Sequence, residues 1–159
     1  MGNQNRGAVE RVFREAEFVR SLGIELAAHG AGWCETRVKI LPALRQQHGF
    51  AHAGVLVTLA DHTSGGAAAS TVAEDRDVIT VENTISFLRP AASAELFCPR
   101  HGVARGQEPG IRRSGSDGRR RRGARAGGQD VQHFGSDCVE GEAGGKTGQF
   151  NLAVRFQPA

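Results

Sequence analysis

The sequence predicts an α+β domain built around one long buried helix. Three patterns in its 159 residues carry that prediction. Residues 8–21 repeat apolar side chains at helical spacing, residues 53–72 form a second helical stretch that is apolar and small, and residues 79–87 alternate apolar and polar side chains as a strand does. The length suits one domain with one hydrophobic core.

The first helix rests on Val9, Val12, Phe13, Ala16 and Val19, and Gly23, after Leu22, ends it. Residues 24–28 and 33–41 read as two strands joined by the turn His29-Gly30-Ala31-Gly32. In the second, Thr36, Val38 and Ile40 alternate with Arg37 and Lys39, which suits a half-buried strand, and Pro42 closes it. A loop over residues 42–52 leads into the long helix, where Val55, Leu56, Leu59 and Ala60 predict protein on most sides. The stretch Ser64-Gly65-Gly66-Ala67-Ala68-Ala69-Ser70 has little side-chain bulk and admits another backbone closely. Glycine costs helix stability, so the pair needs a packing reason; otherwise the helix ends early, at Gly65. Ile79, Val81, Ile85 and Phe87 alternate with Thr80, Glu82, Thr84 and Ser86 in the clearest strand, which Leu88-Arg89-Pro90-Ala91 ends. Residues 94–98 begin another strand.

Beyond that point the pattern stops. Residues 99–128 are rich in arginine and glycine, include Arg119-Arg120-Arg121-Arg122, and show neither period, so the composition predicts disorder. Apolar character returns with Leu152 and Val154. The expected organisation is a domain over residues 8–98, an Arg/Gly-rich segment over 99–149 and a terminal strand over 150–159.

The net charge of +3 conceals the concentration of arginine between Arg100 and Arg125. Such an asymmetry can mark a nucleic-acid arm, but no aromatic interleaving accompanies it. Cys34, Cys98 and Cys138 form no CxxC pair, so neither a zinc ribbon nor a redox motif is suggested, and an odd count points to reduced thiols and a cytoplasmic setting. Residues 1–10 are polar and unlike a signal peptide. Gly2 is not followed by the hydroxyl residue that myristoylation needs, since position 6 is Arg6. No apolar run is long enough to span a bilayer.

Two motifs, His52-Ala53-Gly54-Val55-Leu56-Val57-Thr58-Leu59-Ala60-Asp61 and Ile85-Ser86-Phe87-Leu88-Arg89-Pro90-Ala91, together with the element order, resemble the PaaI-like (phenylacetate-pathway) hotdog thioesterases. The resemblance covers residues 10–98. It implies a hotdog fold, a long helix wrapped by a curved antiparallel sheet. It also implies an acyl-CoA substrate, and a homodimer or homotetramer with active sites at a subunit interface. The family's His-Gly-Gly before the helix is His52-Ala53-Gly54 here; alanine keeps the N–H but restricts φ. Gln46 matches a position where members carry Asn or Gln, and Thr80 matches a small hydroxyl residue on the following strand.

Thioester hydrolysis needs a base or nucleophile, donors for the developing oxyanion, and a slot for the acyl group. Asp61, a carboxylate in an otherwise apolar helix, suits the first role: desolvation raises its pKa and makes it a better base. Ala53 and Gly54, at the helix N-terminus, offer backbone N–H groups and the helix dipole to the oxyanion. Asp61 lies eight residues beyond Ala53, about 12 Å along the axis, so one carbonyl cannot touch both. If both take part, the oxyanion donors of one subunit must face Asp61 of another. Gln46 would position the thioester or water, and Thr80 would orient the carboxylate or water.

Each residue has a plainer alternative. Asp61 may stand on a helix surface, Thr80 is a good strand former, and His52 reads as a hydrogen-bonder shaping the loop rather than a base. His48, His52 and His62 lack the carboxylate or cysteine cluster of a metal site, so no metal or other cofactor is expected. Gly144-Gly145-Lys146-Thr147 looks like a phosphate loop, but the first glycine is missing, since position 140 is Glu140. The alternatives at the level of function are a hotdog hydratase acting on enoyl thioesters, and a non-catalytic acyl-CoA-binding or nucleic-acid-binding protein.

The family continues after Leu-Arg-Pro-Ala with two long strands that the text from Pro99 does not spell. Codons for residues 99–110 can be chosen so that a one-base shift reads Arg-Ala-Thr-Val-Leu-Arg-Ala-Gly-Lys-Asn-Leu-Ala, a strand, a glycine turn and a new strand. A shifted frame after residue 98 is therefore expected, to be decided by the coding DNA. With it come the expectations that residues 99–149 form no closing strands and leave the helix wet, and that the chain is a weak enzyme.

Overall fold

The computed structural model describes residues 6–73, 75–102, 131–140 and 146–158. The chain opens with α1 (Arg6–Glu15) and α2 (Glu17–Ser21), followed by β1 (Ile24–Gly30) and β2 (Trp33–Lys39). A 3-10 turn at Pro42–Leu44 precedes the long helix α3 (Ala53–Ala69), and four strands follow: β3 (Arg76–Phe87), β4 (Glu95–Gly102), β5 (Val131–Glu140) and β6 (Lys146–Pro158). The expected first helix is thus two helices, because Ala16 leaves helical geometry with ψ of 86°. Gly23, at φ of 72°, turns the chain from α2 into β1.

The strands form one six-stranded sheet in the order β1-β2-β4-β5-β6-β3, antiparallel at every pairing. α3 packs against β2, β3, β4, β5 and β6 on one side of itself and against α1 on another. Leu59, Ala60, Ala67 and Ala68 of α3 are buried there with Val38, Leu96 and Cys98 of the sheet and Val9 and Phe13 of α1. Truncating a side chain as enclosed as Leu59 costs about 2–5 kcal/mol. The buried Thr63 hydroxyl of α3 is paired: its Oγ1 is bonded to the hydroxyl of Thr36 on β2 and to the Leu59 carbonyl one turn back. Cys34 and Cys98 are buried cysteines not joined in a disulfide, and burial first, then the neighbouring Cys98, pushes Cys34 up to about 12, which keeps it protonated.

The small-residue stretch is helical to Ala69, so the helix does not end at Gly65. The packing reason lies at Gly66. A Cβ there would stand 3.0 Å from the Phe13 ring and 3.2 Å from Cys34 Sγ, whereas one at Gly65 would meet nothing within 4 Å.

The expectation that residues 99–149 form no closing strands is corrected. β4 runs on to Gly102, β5 lies wholly inside that segment, and β6 begins at Lys146. β5 and β6 are paired from Val131↔Arg155 to Val139↔Lys146, and both pack on α3, so the helix is not left uncovered. The physical reason is that a ladder is built from backbone groups, which pair without regular side-chain alternation when neighbouring strands supply the partners. The arginine run, residues 119–122, lies outside the described residues.

Candidate active site

α3 begins at a built N-terminus. His52, in extended geometry with ψ of 137°, caps it by accepting the Gly54 N–H on Nδ1 at 3.0 Å. The loop before it is pinned at several points. The Gln46 N–H reaches the Phe50 carbonyl at 2.8 Å, the Ala51 N–H the Ala91 carbonyl at 2.9 Å, and the His52 N–H the Leu44 carbonyl at 2.9 Å. Arg45 Nη1 donates to the Gly49 carbonyl at 2.6 Å and closes the tip of the loop. A cleft of about 620 Å³ opens between this loop, the start of α3 and residues 87–91; Gln46, His52, Ala53, Leu56, Phe87 and Arg89 are among its walls. Its character is that of a slot with apolar sides and a helix N-terminus at one end, where an anionic or developing negative oxygen is favoured.

Two expected roles need adjustment at this end. The Gly54 N–H is taken by His52, so it is not free for an oxyanion, and the Ala53 N–H, first of the helix, is the donor that remains. Gln46 uses its side-chain carbonyl on the His48 N–H at 2.7 Å, which leaves its amide nitrogen as the group it can present to the cleft.

Two turns further along α3, Asp61 is half-buried and faces β3. Thr80 Oγ1 donates to Asp61 Oδ1 at 3.0 Å, and Asn83 Nδ2 donates to the same oxygen at 3.4 Å. Burial raises the carboxyl above its ordinary pKa of 3.8, and the two hydrogen bonds only partly offset it. Asp61 does not line the cleft. The structure therefore brings Gln46, His52, Ala53 and Gly54 together at one end of α3, Asp61 and Thr80 at another place, and does not join the two groups within one chain.

Asn83 is the residue that sequence reasoning missed. In a flat strand, residues three apart face opposite sides. A bulge at Val81, where Thr80 is opposite Val154 and Glu82 opposite Ala153, shifts the parity and turns Thr80 and Asn83 to one face. The same shift leaves Ile79 and Val81 exposed on the other face, at 44% and 46%.

His62, next to Asp61, points the other way. Its ring meets Phe13 of α1 edge to face at 4.4 Å. His48, His52 and His62 do not converge, and among the described residues no group of three His, Cys, Asp or Glu side chains has the arrangement of a metal site. Nor is any helix among them long and apolar enough to cross a membrane.

Residues 48–99 match the thioesterase superfamily model. No curated protein matches the sequence. Among solved structures, a thioesterase family protein from Silicibacter pomeroyi is similar at 23% identity and a TM-score of 0.75, over 96% of this chain and 97% of that one. A thioesterase from Haemophilus influenzae is 19% identical with a TM-score of 0.71, over 99% and 92%. The PaaI protein of the Escherichia coli phenylacetic acid degradation operon is 16% identical with a TM-score of 0.71, over 94% and 90%. The chain thus has the hotdog fold of these structures, and residues 48–99 carry the sequence pattern of the thioesterase superfamily.

Proposed function

We propose that the chain hydrolyses a small or aromatic acyl-CoA to the free acid and CoA, with Asp61 as base or nucleophile at the interface of a homodimer or of a homotetramer built from such dimers. The observation that carries this reading is the Asp61 carboxyl itself. It is half-buried in an apolar helix, its pKa is raised by that burial, and two side chains of β3 hold one of its oxygens. A carboxylate held in this way suits a poised base. An aromatic acyl group suits the apolar cleft wall of Leu56 and Phe87, and accords with the phenylacetic acid degradation operon to which the PaaI protein belongs.

The spacing along α3 supports a second subunit. The cleft with the Ala53 N–H and the Asp61 carboxyl are about 12 Å apart along α3. β3 is an edge strand, long and with exposed Ile79 and Val81, and an unpaired apolar edge of this kind is stable when another strand covers it. Pairing with a second copy would set Asp61 of one chain against the cleft of the other. There the Ala53 N–H and the dipole of α3 receive the oxyanion, Gln46 holds the thioester, and Asp61 acts from the opposite side. That Cys34 and Cys98 are not joined in a disulfide accords with a reducing, cytoplasmic setting.

Thiol release from a panel of acyl-CoA substrates tests the reading. The wild-type chain is expected to release CoA from at least one short or aromatic member. Asp61→Asn should lower kcat by at least about a hundredfold, with Gln46→Ala and Thr80→Ala costing less. Full activity in Asp61→Asn would make the carboxylate structural.

A further inference from the structure

Asn83 has a feature that packing does not explain. Its amide nitrogen is used on Asp61 Oδ1, yet its carbonyl oxygen is buried and, among the described residues, nothing donates to it. An unpaired buried acceptor costs free energy, and such groups persist where a ligand or reaction uses them. This acceptor is on the same amide that holds Asp61 Oδ1. Thr80 and Asn83 both reach the carboxylate through the bulge at Val81, a device that commonly re-aims a side chain beside a reacting centre.

We propose that Asn83 is a positioning residue for the hydrolysis. Its Nδ2, with Thr80 Oγ1, pins Asp61 Oδ1, so that Asp61 Oδ2 is the oxygen turned to the attacking water as a general base. In the step that follows, Asp61 Oδ2 takes one proton and the water oxygen bonds to the thioester carbon. The carbonyl oxygen carries the negative charge until the C–S bond breaks, and the thiolate leaves with the proton that Asp61 held. The acid and the thiol are the products, and Asp61 returns ionised. The inference rests on the reading of Asp61 as the reacting acid and narrows it from base or nucleophile to base.

Other charged groups near this part of α3 are engaged or turned away. Arg11 of α1 pairs with Asp77 of β3 at 3.4 Å, Glu10 lies 3.6 Å from His29, Glu82 is exposed, and His62 rests on Phe13. None of them contributes to the shift at Asp61, which comes from burial and the two hydrogen bonds. Removing a hydrogen bond that favours the ionised form must move the acid limb of the pH–rate profile upward.

The test compares wild type, Asp61→Asn, Asn83→Leu and Asn83→Asp by steady-state kinetics across pH, using a substrate that the panel identifies. Asn83→Leu is expected to lower kcat about ten- to hundredfold with KM changed less than about twofold, and to move the acid limb up. Asn83→Asp is expected to move it further, since a second carboxylate opposes ionisation of the first. A merely structural asparagine would lower thermal stability without moving the limb. If Asp61→Asn is inactive while both Asn83 variants keep the wild-type kcat and acid limb, the inference fails and the reading of Asp61 survives. If Asp61→Asn is fully active, that reading itself fails.

Discussion

Asp61 and His62 are neighbours in sequence with opposite electrostatic fates, because α3 turns one toward β3 and the other toward α1. Burial pulls His62 down to about 4, against a hydrogen bond with the Val12 backbone that works the other way, and Nε2 is buried with no partner among the described residues. Its unfolded pKa is the ordinary 6.5. Between those two values the unfolded chain binds a proton that the folded chain refuses, so stability must fall as pH drops from 6.5 toward 4. The loss has a ceiling of about 3 kcal/mol. Asp61 has the other sign: its raised pKa makes the ionised form costly at neutral pH, a cost relieved as pH falls through the folded value. Denaturant titrations at several pH values check this, and His62→Gln should flatten the decline between pH 6.5 and 4. An unchanged decline would place its cause elsewhere. The aspartate was legible in the sequence because a charge inside an apolar helix is conspicuous. Asn83 was not, since period-two reading of β3 puts it on the face opposite Thr80, and only the bulge at Val81 reverses that.

At the scale of elements, α3 depends on the close approach of α1 and β2 at Gly66. An added methyl there must displace the Phe13 ring and Cys34 Sγ, both buried, while at Gly65 it meets open space. Gly65→Ala is therefore expected to stabilise by about 0.5–1 kcal/mol through helix propensity alone. Gly66→Ala sets the same gain against overpacking of about 1–3 kcal/mol and is expected to destabilise. Thermal melts of the two variants should move in opposite directions; a rise in both would mean that Phe13 and Cys34 yield easily. The glycine pair reads as a packing signal in sequence, but sequence does not say which of the two is the contact. The strands divide likewise. β2 and β3 are legible from alternation, whereas β5 is not, because its apolar positions Val131, Phe134 and Val139 follow neither period and its place is fixed by pairing with β6.

For the whole molecule, the proposed site has two halves that one chain keeps about 12 Å apart on a single helix. The sequence already implied this from the spacing of Ala53 and Asp61, and the structure adds the cleft at one half, the pinned carboxylate at the other, and the uncovered edge strand β3. Ala53→Pro isolates the first half. Proline is tolerated at the first position of a helix, His52 already has the extended geometry that precedes proline, and the substitution deletes the one N–H proposed for the oxyanion. Alone it should lower kcat about 100- to 1,000-fold. The decisive measurement mixes it with Asp61→Asn under conditions that let subunits exchange. If the site is shared, each mixed dimer holds one site with both defects and one with neither. Random pairing then restores about a quarter of wild-type thiol release. Activity that stays at the level of the two separate variants, with mixed dimers demonstrably formed, would contradict a site built across the interface.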